Sequence, residues 1–101
     1  MYKITYTKEA IKDIELLKSS GLDGTARRLI EIIKKNPFEP FPPYEKLLGP
    51  LKGIYSRRIN IRHSLTYVVF EETKTIRILR MRKHYKWNFN FFEKIWPKSP
   101  Y

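Results

Sequence analysis

Tyr55-Ser56-Arg57-Arg58-Ile59-Asn60-Ile61-Arg62-His63 interleaves apolar and cationic residues at close to a two-residue period. A two-residue period belongs to β-structure, so the stretch predicts a strand pair with one packed face and one charged face. Three arginines and a histidine on one face repel one another unless something neutralises them. A polyanion is the ligand that such a face suits.

Outward from this stretch the pattern is clear on both sides. Ile54 to Ile59 and Ile61 to Phe70 read as consecutive strands, the second rich in Tyr, Val and Leu. Glu71-Glu72-Thr73-Lys74 reads as a turn and Thr75 to Tyr85 as a further strand, which makes three antiparallel strands joined by hairpins. Upstream, Phe38 to Pro50 is a loop stiffened by Pro40, Pro42, Pro43 and Pro50, and it carries Tyr44-Glu45-Lys46-Leu47.

The N-terminal half is helical after one strand. Tyr2, Ile4 and Tyr6 alternate with Lys3 and Thr5. Thr7 then suits a helix N-cap, with Glu9 in the first turn, where the helix dipole favours a carboxylate. Ala10, Ile11, Ile14 and Leu17 repeat at helical spacing as far as Ser19-Ser20-Gly21. A second helix is expected from a cap at Asp23, through the stripe Ala26, Leu29, Ile30 and Ile33, to a stop at Asn36-Pro37. The two helices read as scaffold. The predicted fold class is α+β: an N-terminal strand, a helical hairpin, then three strands completing a mainly antiparallel sheet with the helices on one face.

Residues 86 to 101 form an aromatic extension. Trp87, Phe91, Phe92, Ile95 and Trp96 fit a helical stripe ended by Pro97, although Trp87, Phe89 and Phe91 also alternate. So many aromatics are not expected to stay in water, and they predict packing on the domain or at an interface, a homodimer included.

The chain of 101 residues is expected to be one domain, residues 1–85, plus that extension. With 21 Lys+Arg against 10 Asp+Glu the formal charge is +11, which points to nucleic acid, an acidic protein partner, or both. The absence of cysteine excludes disulfides and thiolate metal sites, and two histidines alone do not make a structural zinc site. Neither a signal peptide nor an apolar run of about 20 residues is apparent, so a soluble cytoplasmic protein without metal, cofactor or membrane span is expected.

The sequence contains no phosphate-binding Gly-rich loop, HExxH or Ser-elbow motif. What remains is a distributed set: Glu45 on the proline-rich loop, Arg58 and Arg62 on the central strands, and His84-Tyr85 at the end of the last strand. Taken singly, each has a bland reading as a solvated carboxylate, a covering arginine stem or a polar strand end. Together they suit RNA. The 2′-hydroxyl of RNA can attack its own phosphorus if a base takes its proton, an acid protonates the leaving oxygen, and cations stabilise the phosphoryl charge. An aromatic such as Tyr85 can stack on an unpaired base.

Asn36-Pro37-Phe38, Tyr44-Glu45-Lys46-Leu47, Gly53-Ile54-Tyr55-Ser56-Arg57-Arg58-Ile59, His63, Leu65, Tyr67 and His84-Tyr85 occur in an order that resembles the Txe/YoeB toxins of the RelE-like superfamily. The resemblance implies a toxin of a type II toxin–antitoxin system, an endoribonuclease that cuts mRNA in the ribosomal A site and leaves a 2′,3′-cyclic phosphate. It implies Glu45 as general base, His84 as general acid, Arg58 on the phosphate and Tyr85 positioning the nucleotide. Arg57, Arg62, His63 and Lys46 would make the remaining RNA contacts. The implied partners are mRNA, the ribosome and an acidic antitoxin of the YefM/Phd kind. The family pattern usually has an arginine between His63 and Leu65, where this chain has Ser64. Arg62 is expected to substitute in part, from the same strand face. The alternative is a basic RNA- or ribosome-binding protein with the scaffold but without cleavage, and the Ser64 position and the aromatic extension are the features that favour it.

Overall fold

The computed structural model describes residues 1–83. In chain order the elements are β1 (Lys3–Tyr6), α1 (Lys8–Ser19), α2 (Asp23–Lys35), β2 (Tyr44–Lys46), a 3-10 turn (Gly49–Leu51), β3 (Tyr55–Arg58), β4 (His63–Phe70) and β5 (Thr75–Lys83). The five strands form one sheet in the order β1-β5-β4-β3-β2. β1 runs parallel to β5 and every other pairing is antiparallel. The α+β architecture is as expected from the sequence.

Three details differ from the sequence reading. Tyr44–Lys46, expected within a loop, is a fifth strand paired to β3; three residues are too few for a period to show. The strand pair expected across Tyr55–His63 narrows to β3 and the first residue of β4, because Ile59 and Asn60 both donate backbone N–H to the His63 carbonyl and close a hairpin turn. The cap of α2 is Leu22 rather than Asp23, and it makes no side-chain capping bond. Asp23 lies in the first turn and pairs loosely with Arg27 at 3.9 Å.

The helices cover one face of the sheet. Leu17, Leu29 and Ile33 pack against Leu65, Tyr67, Ile76 and Ile78, all buried. On the other face Ile54, Val68 and Leu79 form a smaller cluster roofed by Leu47, Leu51 and Phe70. The alternation of β4, with Leu65 and Tyr67 inward and Thr66 and Val68 outward, is the physical origin of these two layers.

β5 is longer than its edge partner. β1 pairs only Thr75 to Ile78, which leaves the C-terminal part of β5 without a strand neighbour on that side among the described residues. Helix α1 closes this edge. The Thr7 hydroxyl donates to the Leu79 carbonyl at 2.7 Å and accepts from Ala10 N–H at 3.0 Å, so one side chain both caps α1 and ties it to β5. Six residues on, Asp13 accepts from Arg80 at 2.7 and 3.1 Å and from the Met81 backbone N–H at 3.0 Å. An unpaired strand edge is an aggregation template, and here a helix bonds to it instead.

The Asp13–Arg80 pair is nearly dry, with side chains 2% and 10% exposed. Removing one member of such a pair leaves a buried charge uncompensated. Asp13→Ala is therefore expected to lower unfolding free energy by about 3–5 kcal/mol, read from urea denaturation. A loss below about 1 kcal/mol would show that the pair does not hold α1 to β5.

Candidate active site

Arg57 and Arg58 are adjacent, and the strand sends them to opposite faces. Arg57 points toward the helices and has no exposed surface, whereas Arg58 is exposed. Arg57 was expected among RNA-binding cations; its burial removes it from that set. Its guanidinium binds protein instead. Nε donates to Tyr67 Oη at 3.0 Å, Nη1 to the Pro42 carbonyl, and Nη2 to the Pro37 and Glu39 carbonyls at 3.1 and 2.8 Å. Tyr67 Oη in turn donates to the Pro37 carbonyl at 2.7 Å. The Tyr44 ring lies over the guanidinium, 4.8 Å from centroid to carbon.

The composition of the loop explains why an arginine is needed. Proline supplies a carbonyl and no N–H, so a proline-dense segment is rich in acceptors that its own backbone does not satisfy. Arg57 gathers three of them from residues 37–42. Among the described residues its charge meets no carboxylate; the aligned carbonyls and the Tyr44 ring stabilise it. Phe38, Tyr44, Tyr55 and Tyr67 pack around it, with Phe38–Tyr55 edge-on at 5.4 Å and Tyr55–Tyr67 stacked at 5.7 Å between centroids.

The anchored loop delivers Glu45. β2 pairs Tyr44 with Arg57, Glu45 with Ser56 and Lys46 with Tyr55. Glu45 therefore shares the outer face with Ser56 and, two residues along β3, with Arg58. Diagonal neighbours of this kind lie about 7–8 Å apart, a gap that a phosphodiester can enter between carboxylate and guanidinium. A cavity of about 380 Å³ lies there, lined by Pro42, Pro43, Tyr44, Glu45, Ser56 and Arg58. Arg58 is steadied by donating Nη1 to the Ile61 carbonyl at 2.8 Å.

The structure separates other residues that the sequence had grouped. Lys46 alternates with Glu45 and so takes the helix-side face, although it is exposed. Arg62 lies in the β3–β4 turn rather than on β4, its backbone N–H donating to Asn60 Oδ1 at 2.9 Å. The expectation that Arg62 shares the strand face of Ser64 is thus overturned: the chain is not extended there. Asn60 Oδ1 also accepts from the His63 backbone at 2.8 Å and approaches its Nδ1 at 3.1 Å. His63 is half-buried and borders a second cavity, of about 440 Å³, shared with Leu16, Ser19, Ser20, Arg80 and Arg82. His84, Tyr85 and the 86–101 extension lie outside the described residues.

Sequence reasoning missed Tyr67 and Tyr44 as partners of Arg57. It also missed Arg82, which pairs in register with Ser64 as Arg58 does from the other side. Only the register supplies that signal.

Residues 6–85 match the family model described as a YoeB-like toxin of bacterial type II toxin-antitoxin system. Toxin YoeB of Streptomyces coelicolor is 34% identical over 85 residues, covering 82% of this chain and 99% of the relative. A YoeB-YefM complex from Staphylococcus aureus superposes with TM-score 0.70 at 31% identity, covering 84% of this chain and 99% of that chain. A YoeB dimer from the same organism superposes with TM-score 0.71 at 31% identity, covering 83% of this chain and 98% of that chain.

The Arg57–Tyr67 junction makes a pH-dependent prediction. Burial pushes the Tyr67 phenol above its usual 10.0, and the Arg57 hydrogen bond and charge oppose this without cancelling it. A raised folded-state value means that the stabilisation is complete below the unfolded value and is lost as pH rises through the raised one. Urea stability should therefore fall as pH climbs above about 10, and Tyr67→Phe should flatten that fall. Tyr6 is raised as well, by burial and by Glu31, so the difference between parent and variant isolates Tyr67. Identical alkaline slopes would contradict the assignment. At neutral pH the variant should lose roughly 1–3 kcal/mol, since Arg57 Nε is left without an acceptor.

Proposed function

Since the chain belongs to the YoeB-like toxins of bacterial type II toxin–antitoxin systems, we propose that it is a ribosome-dependent endoribonuclease that cuts mRNA in the A site without metal or cofactor. The observation that carries this reading is Glu45 facing Arg58 across one outer-face cavity, with the carboxylate delivered by an internally anchored loop. Glu45 takes the proton of the 2′-hydroxyl as its oxygen bonds to phosphorus. The bond from phosphorus to the 5′ oxygen breaks, and His84 protonates that leaving oxygen. Arg58 stabilises the charge on the non-bridging oxygens, and Tyr85 stacks on a base to hold the nucleotide in line. The upstream product is a 2′,3′-cyclic phosphate.

Arg62, His63 and Lys46 contribute backbone contacts along the RNA, while Arg57 serves as the anchor of the loop. Residues 1–85 make up the toxin domain and residues 86–101 extend it. The partners in this reading are the ribosome, its mRNA, an acidic antitoxin of the YefM kind, whose charge complements the +11 of this chain, and a second copy of the chain. The compartment is the cytoplasm, where ribosomes translate. A second reading, a binder of RNA or ribosomes without cleavage, is favoured by Ser64, where the resemblance has an arginine.

Induced expression in bacteria separates the two. The chain should arrest growth and produce discrete mRNA ends, and Glu45→Gln or His84→Gln should relieve the arrest and reduce cleavage by about 10²–10⁴-fold. Arrest without new RNA ends supports the binder, and arrest unchanged by both substitutions contradicts the residue roles.

A further inference from the structure

The register of the sheet draws a cationic row across three strands. Arg58 of β3 pairs with Ser64 of β4, and Ser64 pairs with Arg82 of β5. Direct partners project to the same face, so the two arginines flank one serine. Strand spacing places their backbones about 9.5–10 Å apart. Both arginines are exposed, whereas Ser64 is buried at 1% and stands only as the floor between them. The adjoining row on that face begins with Glu45 and continues through Ser56 and Thr66. Carboxylate row and cation row are thus two residues apart along the strands, roughly 6.5–7 Å.

Neither jaw of the row is neutralised among the described residues. Arg58 donates to a carbonyl, and the ion pairs there involve Lys18, Arg27, Lys74 and Arg80. Two cations held on one face around a gap favour an anion in that gap. The planar fork of a guanidinium matches phosphate oxygens bidentately. The other nearby arginines are excluded by position: Arg80 is locked to Asp13, and Arg62 sits in the turn.

We propose that Arg82 is the second guanidinium of a phosphate clamp whose other jaw is Arg58, with the scissile phosphodiester seated over Ser64 and its 2′ oxygen toward Glu45. The proposal rests on the reading of the chain as an RNA-cleaving toxin. Arg82 then supplies from β5 the cation that β4 lacks, and the short side chain of Ser64 makes the seat. Arg82 also borders the His63 cavity at the edge of the sheet.

The test uses the full chain in two assays. In single-turnover cleavage of ribosome-bound mRNA, Arg82→Ala should lower the rate about 10²-fold or more, as loss of a transition-state donor does. Arg28→Ala, which removes the same charge from α2, should leave the rate within about threefold. In the second assay a short single-stranded RNA is titrated with Glu45→Gln protein across a potassium chloride series. Adding Arg82→Ala should reduce the slope of log affinity against log salt by about 0.7, the value of one lost phosphate contact on a single strand. Arg82→Lys should recover that slope and not the cleavage rate, because an ammonium keeps the charge without the fork. Cleavage by Arg82→Ala within about threefold of the parent, or an unchanged salt slope, overturns the clamp. If the parent itself cuts no RNA, the function reading is what fails, and the slope alone then decides the clamp.

Discussion

One buried cation sets the geometry of the outer face. The Arg57 guanidinium lies beneath the proline-rich loop and draws the Pro37, Glu39 and Pro42 carbonyls onto itself, with Tyr67 bridging to the first of them. The loop has few N–H groups of its own to offer, and a neutral side chain at this position would leave several acceptors dry and unpaired. Because Tyr44 stacks over the same guanidinium and pairs with Arg57 in register, the direction of β2 is decided there as well. Glu45 follows Tyr44 by one residue, and strand alternation places it on the opposite face. A carboxylate near the surface is thus held by a network inside the protein, so its position does not depend on a mobile loop.

The pleat assigns opposite tasks to adjacent residues. Arg57 is structural because it faces the helices; Arg58 faces out and can meet a ligand. Tyr67 seals the anchor, and Thr66 beside it lies on the row of Glu45. The helices contribute no candidate catalytic group. Their part is to bury the inner face and, through Thr7 and Asp13, to close the edge of β5 that carries Arg80 and Arg82. The same strand that α1 secures thus presents Arg82 to the outer face.

Much of the fold was legible because its signals are periodic. Both helices, the three strands after the proline-rich loop and the place of that loop follow from spacing and from breakers such as Asn36-Pro37 and Ser20-Gly21. Glu45 and Arg58 were singled out from chemistry and resemblance, and the structure brings them to one cavity. What the sequence concealed depends on register and on turns. Arg57 and Arg58 look alike as letters; only packing shows which one is buried. Arg62 reads as part of a strand, but the Asn60 side-chain oxygen accepts from the Arg62 and His63 backbone N–H groups and bends the chain away. Arg82 is 18 residues from Ser64 in sequence and beside it across the sheet, a relation no local window contains.

The most direct test of the central claim, that Glu45 activates the 2′-hydroxyl of the RNA itself, is the chemistry of the cut ends. mRNA cleaved on ribosomes by the full chain can be analysed for its termini by mass spectrometry. The upstream fragment should carry a 2′,3′-cyclic phosphate and the downstream one a 5′-hydroxyl. A 3′-hydroxyl with a 5′-phosphate would mean that water was the nucleophile and would contradict it.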